Sequence, residues 1–217
     1  MAAAVELQRR YRGATASERR AERRERLLEA GLELFGTQGF ANTTIRAVCA
    51  AASVNSRYFY ESFTDREDLL FAVYQRLVTD IVKSTTEATA GASTIEEQAR
   101  AGLQAGWRIL TEDRRKAKVI ALEVVGVSER LERLRRDTRH ALADLTARNA
   151  QAISGGEYVF RLDPVLTTRS LIGAVVEILV DWINDDLDAG AEEIVEHFTA
   201  LFTAVTYAAI EPRSSPG

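Results

Sequence analysis

What this chain has little of narrows it first. Its 217 residues include one cysteine, three prolines, two histidines and 13 glycines. The lone cysteine, Cys49, forbids an internal disulfide and fits a reducing compartment. Scarce proline and glycine favour long helices over an all-β chain. No apolar run reaches the length of a membrane span, and the opening MAAAVELQRRYRG lacks the apolar centre of a secretion signal. A cytoplasmic location without membrane association is therefore expected. With only His140 and His197 available, the sequence holds no HExxH pair, no glycine-rich phosphate loop and no GxSxG elbow. No His, Cys and carboxylate set has metal spacing. Neither catalysis, nor a cofactor, nor a metal is expected, and Cys49, set in an apolar helix face, reads as structural.

What is present is ordinary in amount and uneven in placement. Hydrophobic residues make up 46% and charged residues 28%, as in soluble globular proteins of one large or two small domains. The net charge is −4. Residues 1–66 hold 11 arginines against 8 acids, so 11 − 8 = +3, while the remainder holds 17 basic and 24 acidic residues, so 17 − 24 = −7. A basic head on an acidic body suits a modular DNA binder, whose affinity draws on phosphate contacts. A solvated arginine-rich helix explains much of the same contrast.

The stretch from Thr43 to Leu70 organises the chain. Ile45, Val48 and Cys49 recur at helical spacing, and Ala50 to Ala52 are small enough for a second helix to cross closely. Ser53-Val54-Asn55-Ser56 breaks the pattern, because serine and asparagine side chains compete for backbone hydrogen bonds. A very short helix follows to about Glu61, anchored by Phe59, Tyr60 and Phe63. Two helices across such a turn form a helix-turn-helix, whose second helix enters the DNA major groove.

At Gly39-Phe40, Thr43-Thr44-Ile45, Val54, Phe59-Tyr60, Phe63 and Asp65 to Leu70 the sequence resembles the tetracycline-repressor (TetR) family of bacterial transcriptional regulators. The match covers roughly Leu27 to Leu70. It departs at Ser53, where the family usually has glycine, so this turn either avoids a left-handed backbone or tolerates one at a cost. Arg57 stands where the family has a small residue, which bears on sequence preference rather than fold. The resemblance implies an all-α protein: a three-helix N-terminal helix-turn-helix head and a C-terminal helical ligand-binding and dimerisation domain. It sets residues 1–16 as a flexible basic arm, 17–64 as the head, 65–217 as the regulatory domain with its connector helix, and 163–211 as the dimerisation helices. The arm, with Arg9, Arg10 and Arg12, either touches DNA or only solubilises.

Family geometry points Asn55, Ser56, Arg57, Tyr58 and Ser62 at base edges, with Arg57 suited to guanine O6 and N7. Thr44, Arg46, Tyr60 and Arg66 fit phosphate contacts, which fix register without reading sequence. The arginine run of the first helix, from near Ser17 to Thr37, reads as a solvated face with one or two residues near phosphate.

Capping boxes at Thr64-x-x-Glu67 and Thr94-x-x-Glu97 mark two helix starts. The first opens the connector helix, to about Thr85. The cluster Glu112 to Lys116 reads as a surface turn before an apolar segment, Val119 to Val127. Ser128 is placed to cap a long helix to about Ile153, and Asp163-Pro164 opens another to about Leu187. That helix is apolar on more than one face, which requires burial on both sides.

In the resembled family the last two helices pair across a two-fold axis, giving Leu171, Val175, Leu179, Trp182, Phe198, Leu201, Phe202 and Val205 as the expected homodimer face. The family also implies an effector pocket, for which Trp107, Glu123, His140 and Glu177 stand out as aromatic or polar residues among apolar ones. Aliphatic richness suggests a mainly hydrophobic small molecule. The reading is a ligand-responsive regulator, most simply a repressor, that binds a palindromic operator as a dimer. The alternative is an architectural DNA-coating or helical protein-interaction module.

Overall fold

A computed structural model describes residues 15–153 and 158–212. The expected basic arm lies, up to residue 14, outside the described residues, as do Ser154-Gly155-Gly156, whose composition predicts a loop. The described chain is almost wholly helical and falls into two compact units, Met1–Val73 and Tyr74–Gly217.

In the first unit, α1 (Ala16–Gln38) opens with a full capping box: the Thr15 hydroxyl accepts from the Glu18 amide at 3.2 Å, and the Glu18 carboxylate accepts from the Thr15 amide. It stops at Gly39, whose φ of 85° suits glycine. The α2 helix (Ile45–Ala51) is capped by Thr44, and α3 (Ser56–Tyr60) by Asn55. The first turns of α4 (Arg66–Thr89) complete the unit. Its core is Leu27, Phe35, Val48, Phe59, Leu69 and Leu70, each with no exposed surface. Gly31 lets α4 close on α1, since a Cβ there would meet Leu69 Cδ2 at 3.1 Å and Val73 Cγ2 at 3.2 Å.

The expected box at Thr64 and Glu67 forms one residue later. Asp65 Oδ1 accepts from the Asp68 amide at 2.8 Å, and the Asp68 carboxylate accepts from the Thr64 amide at 3.2 Å. An aspartate beside a threonine is the stronger acceptor, so it takes the cap. The compact head also runs to Val73, further than the expected edge at residue 64. The connector runs on to Thr89, past its expected end near Thr85, with the hydroxyls of Thr86 and Thr89 hydrogen-bonded back to the carbonyls of Val82 and Thr85 at 2.7 and 2.9 Å.

The second unit contains α5 (Ile95–Thr111), α6 (Arg114–Lys118), a π turn (Val119–Glu123), α7 (Glu129–Ile153), α8 (Pro164–Ile183) and α9 (Ala191–Ala209). Helix α5 packs along α9, and α7 along α8. Trp107, Leu179, Phe198 and Phe202 sit in the shared core. The stretch read as a surface turn is α6, and it runs straight into the π turn, so the apolar segment after it is not a helix of its own. Ser128 and Asp163 cap α7 and α8 as expected. Helix α8 ends four residues early: Arg114 Nη2 donates to the carbonyls of Trp182 and Ile183 and to the Asp185 carboxylate, and Asp185 turns to φ 60°. After α9 the chain extends as Ile210–Pro212, paired antiparallel with Tyr158–Phe160. Among the described residues, no helix is long and apolar enough to cross a membrane.

Candidate nucleic-acid interface and ligand cavity

The turn between α2 and α3 is made by the backbone. The Ala52 amide closes α2 on Val48 O at 2.9 Å, the Val54 amide reaches Cys49 O at 2.9 Å, and Ser53 between them takes φ 51°. Of the two alternatives the sequence left open, the left-handed backbone is the one adopted. A side chain there costs roughly 1 kcal/mol against glycine. Ser53→Gly is therefore expected to stabilise the chain by about 0.5–1 kcal/mol. A urea unfolding midpoint that does not rise would show the turn to be unstrained. Cys49 is buried, and that burial pushes its thiol pKa up, as suits a packing residue.

Helix α3 is five residues long, too short to hold itself together by its own hydrogen bonds. Phe59 holds it down with no exposed surface, its ring edge-on to Tyr60 at 5.4 Å and tilted on Phe63 at 5.8 Å. The outward face carries Ser56, Arg57, Tyr58 and Tyr60, all exposed, while Ser62 is half-buried. Asn55 is exposed, but its side chain is engaged as the cap, accepting from the Arg57 amide at 2.9 Å. Arg57 is 84% exposed and lies 3.7 Å from Glu61. An exposed pair of this kind is worth well under about 1 kcal/mol, so Arg57 can exchange it for a base edge.

Thr44 is exposed and accepts from the Ala47 amide at 3.1 Å, which leaves its hydroxyl proton free to donate; Arg46 is also exposed. Arg66 is placed differently from the expectation. Its guanidinium is turned into the head, where Nη1 donates to the carbonyls of Phe40, Ala41 and Thr43 and the group lies 4.5 Å over the Phe40 ring. It ties the loop before α2 to the start of α4.

Sequence reasoning missed the arginines of α1. Arg20 donates to Glu61 O, Arg23 stacks 4.2 Å over the Tyr58 ring and lies 3.9 Å from Glu61, and Arg24 lies 5.0 Å over Phe63. They brace the recognition helix, so this part of the run is not a merely solvated face. Their partners lie 35 or more residues away, beyond any helical periodicity.

The body holds a partly open cavity of about 190 Å³. Its walls come from α4, α5, the π turn, α7, α8 and α9, and the wide π turn sets Ile120 into the wall. Of the four expected ligand residues only Trp107 lines it; Glu123 and His140 are half-buried off the wall and Glu177 is exposed. Two buried wall residues carry polar atoms without a hydrogen-bond partner, Gln98 Oε1 and Trp107 Nε1, a rare condition in a protein interior.

The expected dimer face divides in two. Leu171, Leu179, Phe198 and Phe202 are core of the body itself, and Val175, Trp182 and Val205 are half-buried against that core, leaving Leu201 exposed. An all-round apolar helix does not reveal whether its second face meets its own chain or another. The large apolar residues that α8 and α9 expose are Val165, Leu166, Leu201 and Tyr207.

A capped, arginine-bearing helix set outward across a tight turn defines a helix-turn-helix DNA-binding protein, here joined to a helical body with an internal cavity. Residues 27–73 match the family model described as bacterial regulatory proteins, tetR family. That stretch is a TetR-type helix-turn-helix DNA-binding domain. The chain is 33% identical over 57 residues to the HTH-type transcriptional regulator HbdR of Aromatoleum sp. (strain CIB), a match covering 26% of this chain and 25% of that protein. It is 26% identical over 204 residues to the uncharacterized HTH-type transcriptional regulator YerO of Bacillus subtilis (strain 168), covering 88% of this chain and 68% of the relative. The fold resembles that of the regulator FadR from Bacillus subtilis, solved in complex with stearoyl-CoA, with a TM-score of 0.75, 17% identity, and 83% of this chain and 98% of the other covered.

Proposed function

We propose that the protein is a ligand-responsive repressor, acting in the cytoplasm, that binds a palindromic operator as a homodimer. The observation that carries this reading is the outward face of α3, where Arg57 is presented on a helix whose cap and buried anchor leave it little freedom. Arg57 and Tyr58 read base edges with Ser56. Thr44, Arg46 and Tyr60 hold phosphate, while Asn55 and Arg66 serve the shape of the head. The exposed apolar residues of α8 and α9 supply the second copy's contact, with Leu166, Leu201 and Tyr207 at its centre. Two heads on a two-fold axis then require half-sites about one helical turn apart, or a multiple.

The body's cavity takes the effector, and its apolar wall supports a mainly hydrophobic one. Tyr74, Val78 and Ile81 of α4 line the cavities, and the same helix places Leu69, Leu70 and Val73 in the head's core. An effector that binds one setting of α4 more tightly than another shifts DNA affinity by that difference alone.

Footprinting upstream of the protein's own gene, against unrelated competitor DNA, tests the reading. A short protected palindrome is expected, and Arg57→Ala is expected to weaken it by about 1–3 kcal/mol and relax preference at one position per half-site. Uniform protection that fades with salt and ignores the substitution would favour an architectural protein instead.

A further inference from the structure

A second, smaller cavity of about 70 Å³ adjoins the first, and the two share Ile81, Ile120, Leu142, Ile172 and Val176 as walls. Their chemistry differs sharply. No Lys, Arg, His, Asp or Glu lines the larger one. The smaller is lined by Arg135 and Arg139, with no carboxylate on its wall. The two arginines are four residues apart on α7 and so face the same way. Arg135 is only 14% exposed and donates to Glu132 at 2.8 Å. That carboxylate also accepts from the Gly126 amide at 2.8 Å. Arg139 is half-buried and makes no hydrogen bond or close ion pair with any described residue. One carboxylate thus serves two guanidiniums, leaving a single positive charge beside an apolar chamber, 2 − 1 = +1.

We propose that the joined cavities bind an amphipathic monocarboxylate, with its apolar tail in the larger chamber and its carboxylate on Arg139. This rests on the effector reading above and names the effector's class. A cation held partly out of water is costly until an anion meets it. The planar guanidinium matches a carboxylate through two parallel N–H donors. A dianionic phosphate group would overcompensate the single charge. Tyr74, buried on the same wall as Thr138, gives the head group a further polar neighbour on α4. Size sets the tail: at roughly 10–15 Å³ for each water-sized atom, the larger chamber holds roughly a dozen non-hydrogen atoms. That is the size of a medium-chain acid.

Calorimetric titration of the full-length protein with decanoate, 1-decanol and decanoyl-CoA tests this, with Arg139→Gln and Arg139→Lys beside the wild type. Decanoate is expected to bind at least tenfold more tightly than decanol. Arg139→Gln should remove that preference, weakening decanoate by about tenfold to a hundredfold and leaving decanol unchanged, since a hydrogen bond to a charged group carries the difference. Arg139→Lys should restore part of it. Equal binding of acid and alcohol, or a preference that survives Arg139→Gln, would overturn the charged head while keeping an apolar effector cavity. Binding of decanoyl-CoA without decanoate would also overturn it, in favour of a larger anion held elsewhere. Binding of none of the three would overturn both this assignment and the medium-sized apolar effector on which it rests.

Discussion

Phe59→Ala is expected to cost about 3–5 kcal/mol of stability and to abolish DNA binding. Phe59 has no exposed surface and touches the rings of Tyr60 and Phe63. It is the one buried residue of the five in α3. Removing the ring therefore leaves a cavity and also removes the attachment of the recognition helix, which has too few turns to persist unaided. A loss of this size is a large part of the 5–15 kcal/mol typical of a folded domain. Arg57→Ala gives the contrast, because its exposed side chain carries almost no folding energy. Urea unfolding and footprinting should separate the two: Phe59→Ala lowers both midpoint and affinity, and Arg57→Ala lowers affinity alone. A wild-type midpoint in Phe59→Ala would mean that α3 is held by something other than this ring.

The same contrast explains how much the sequence disclosed. Most local devices whose partners lie within one turn were legible, the box expected at Thr64 forming one residue later. Thr94 and Ser128 accept from amides three residues on, and Asp163 with Pro164 starts α8 as their chemistry dictates. The helix-turn-helix was legible because its apolar anchors, turn residues and cap stand in one short run. What stayed hidden depends on distance along the chain. The braces Arg20, Arg23 and Arg24 look identical to solvated arginines until α3 is placed against α1. Leu171 and Phe202 read as a partner surface because amphipathic pattern measures burial without saying by whom. The cavity wall draws on several helices and a π turn, and no local pattern joins Gln98 to Ile120 or Arg139 to Tyr74. Glu123, His140 and Glu177 attracted notice by residue type, whereas the larger chamber is walled mostly by small and aliphatic residues that carry no such signal.

Arg66→Met should cost the head about 2–3 kcal/mol, because hydrogen bonds from a charged donor to the carbonyls of Phe40, Ala41 and Thr43 are lost together with the contact over Phe40. Methionine keeps much of the apolar stem, so the loss measures the guanidinium. Arg66→Lys is expected to recover only part of it, since a point charge on a flexible stem cannot hold several carbonyls in one plane. Salt dependence distinguishes this clip from the phosphate contact that the sequence suggested. A phosphate-binding cation contributes roughly 0.9 to the slope of log affinity against log salt, and its loss lowers that slope without touching stability. For Arg66→Met the opposite is expected: the unfolding midpoint falls, and the slope measured on the folded fraction stays that of the wild type. A slope reduced by about one at an unchanged midpoint would return Arg66 to the DNA backbone. The loop before α2 would then need another group to hold its three carbonyls.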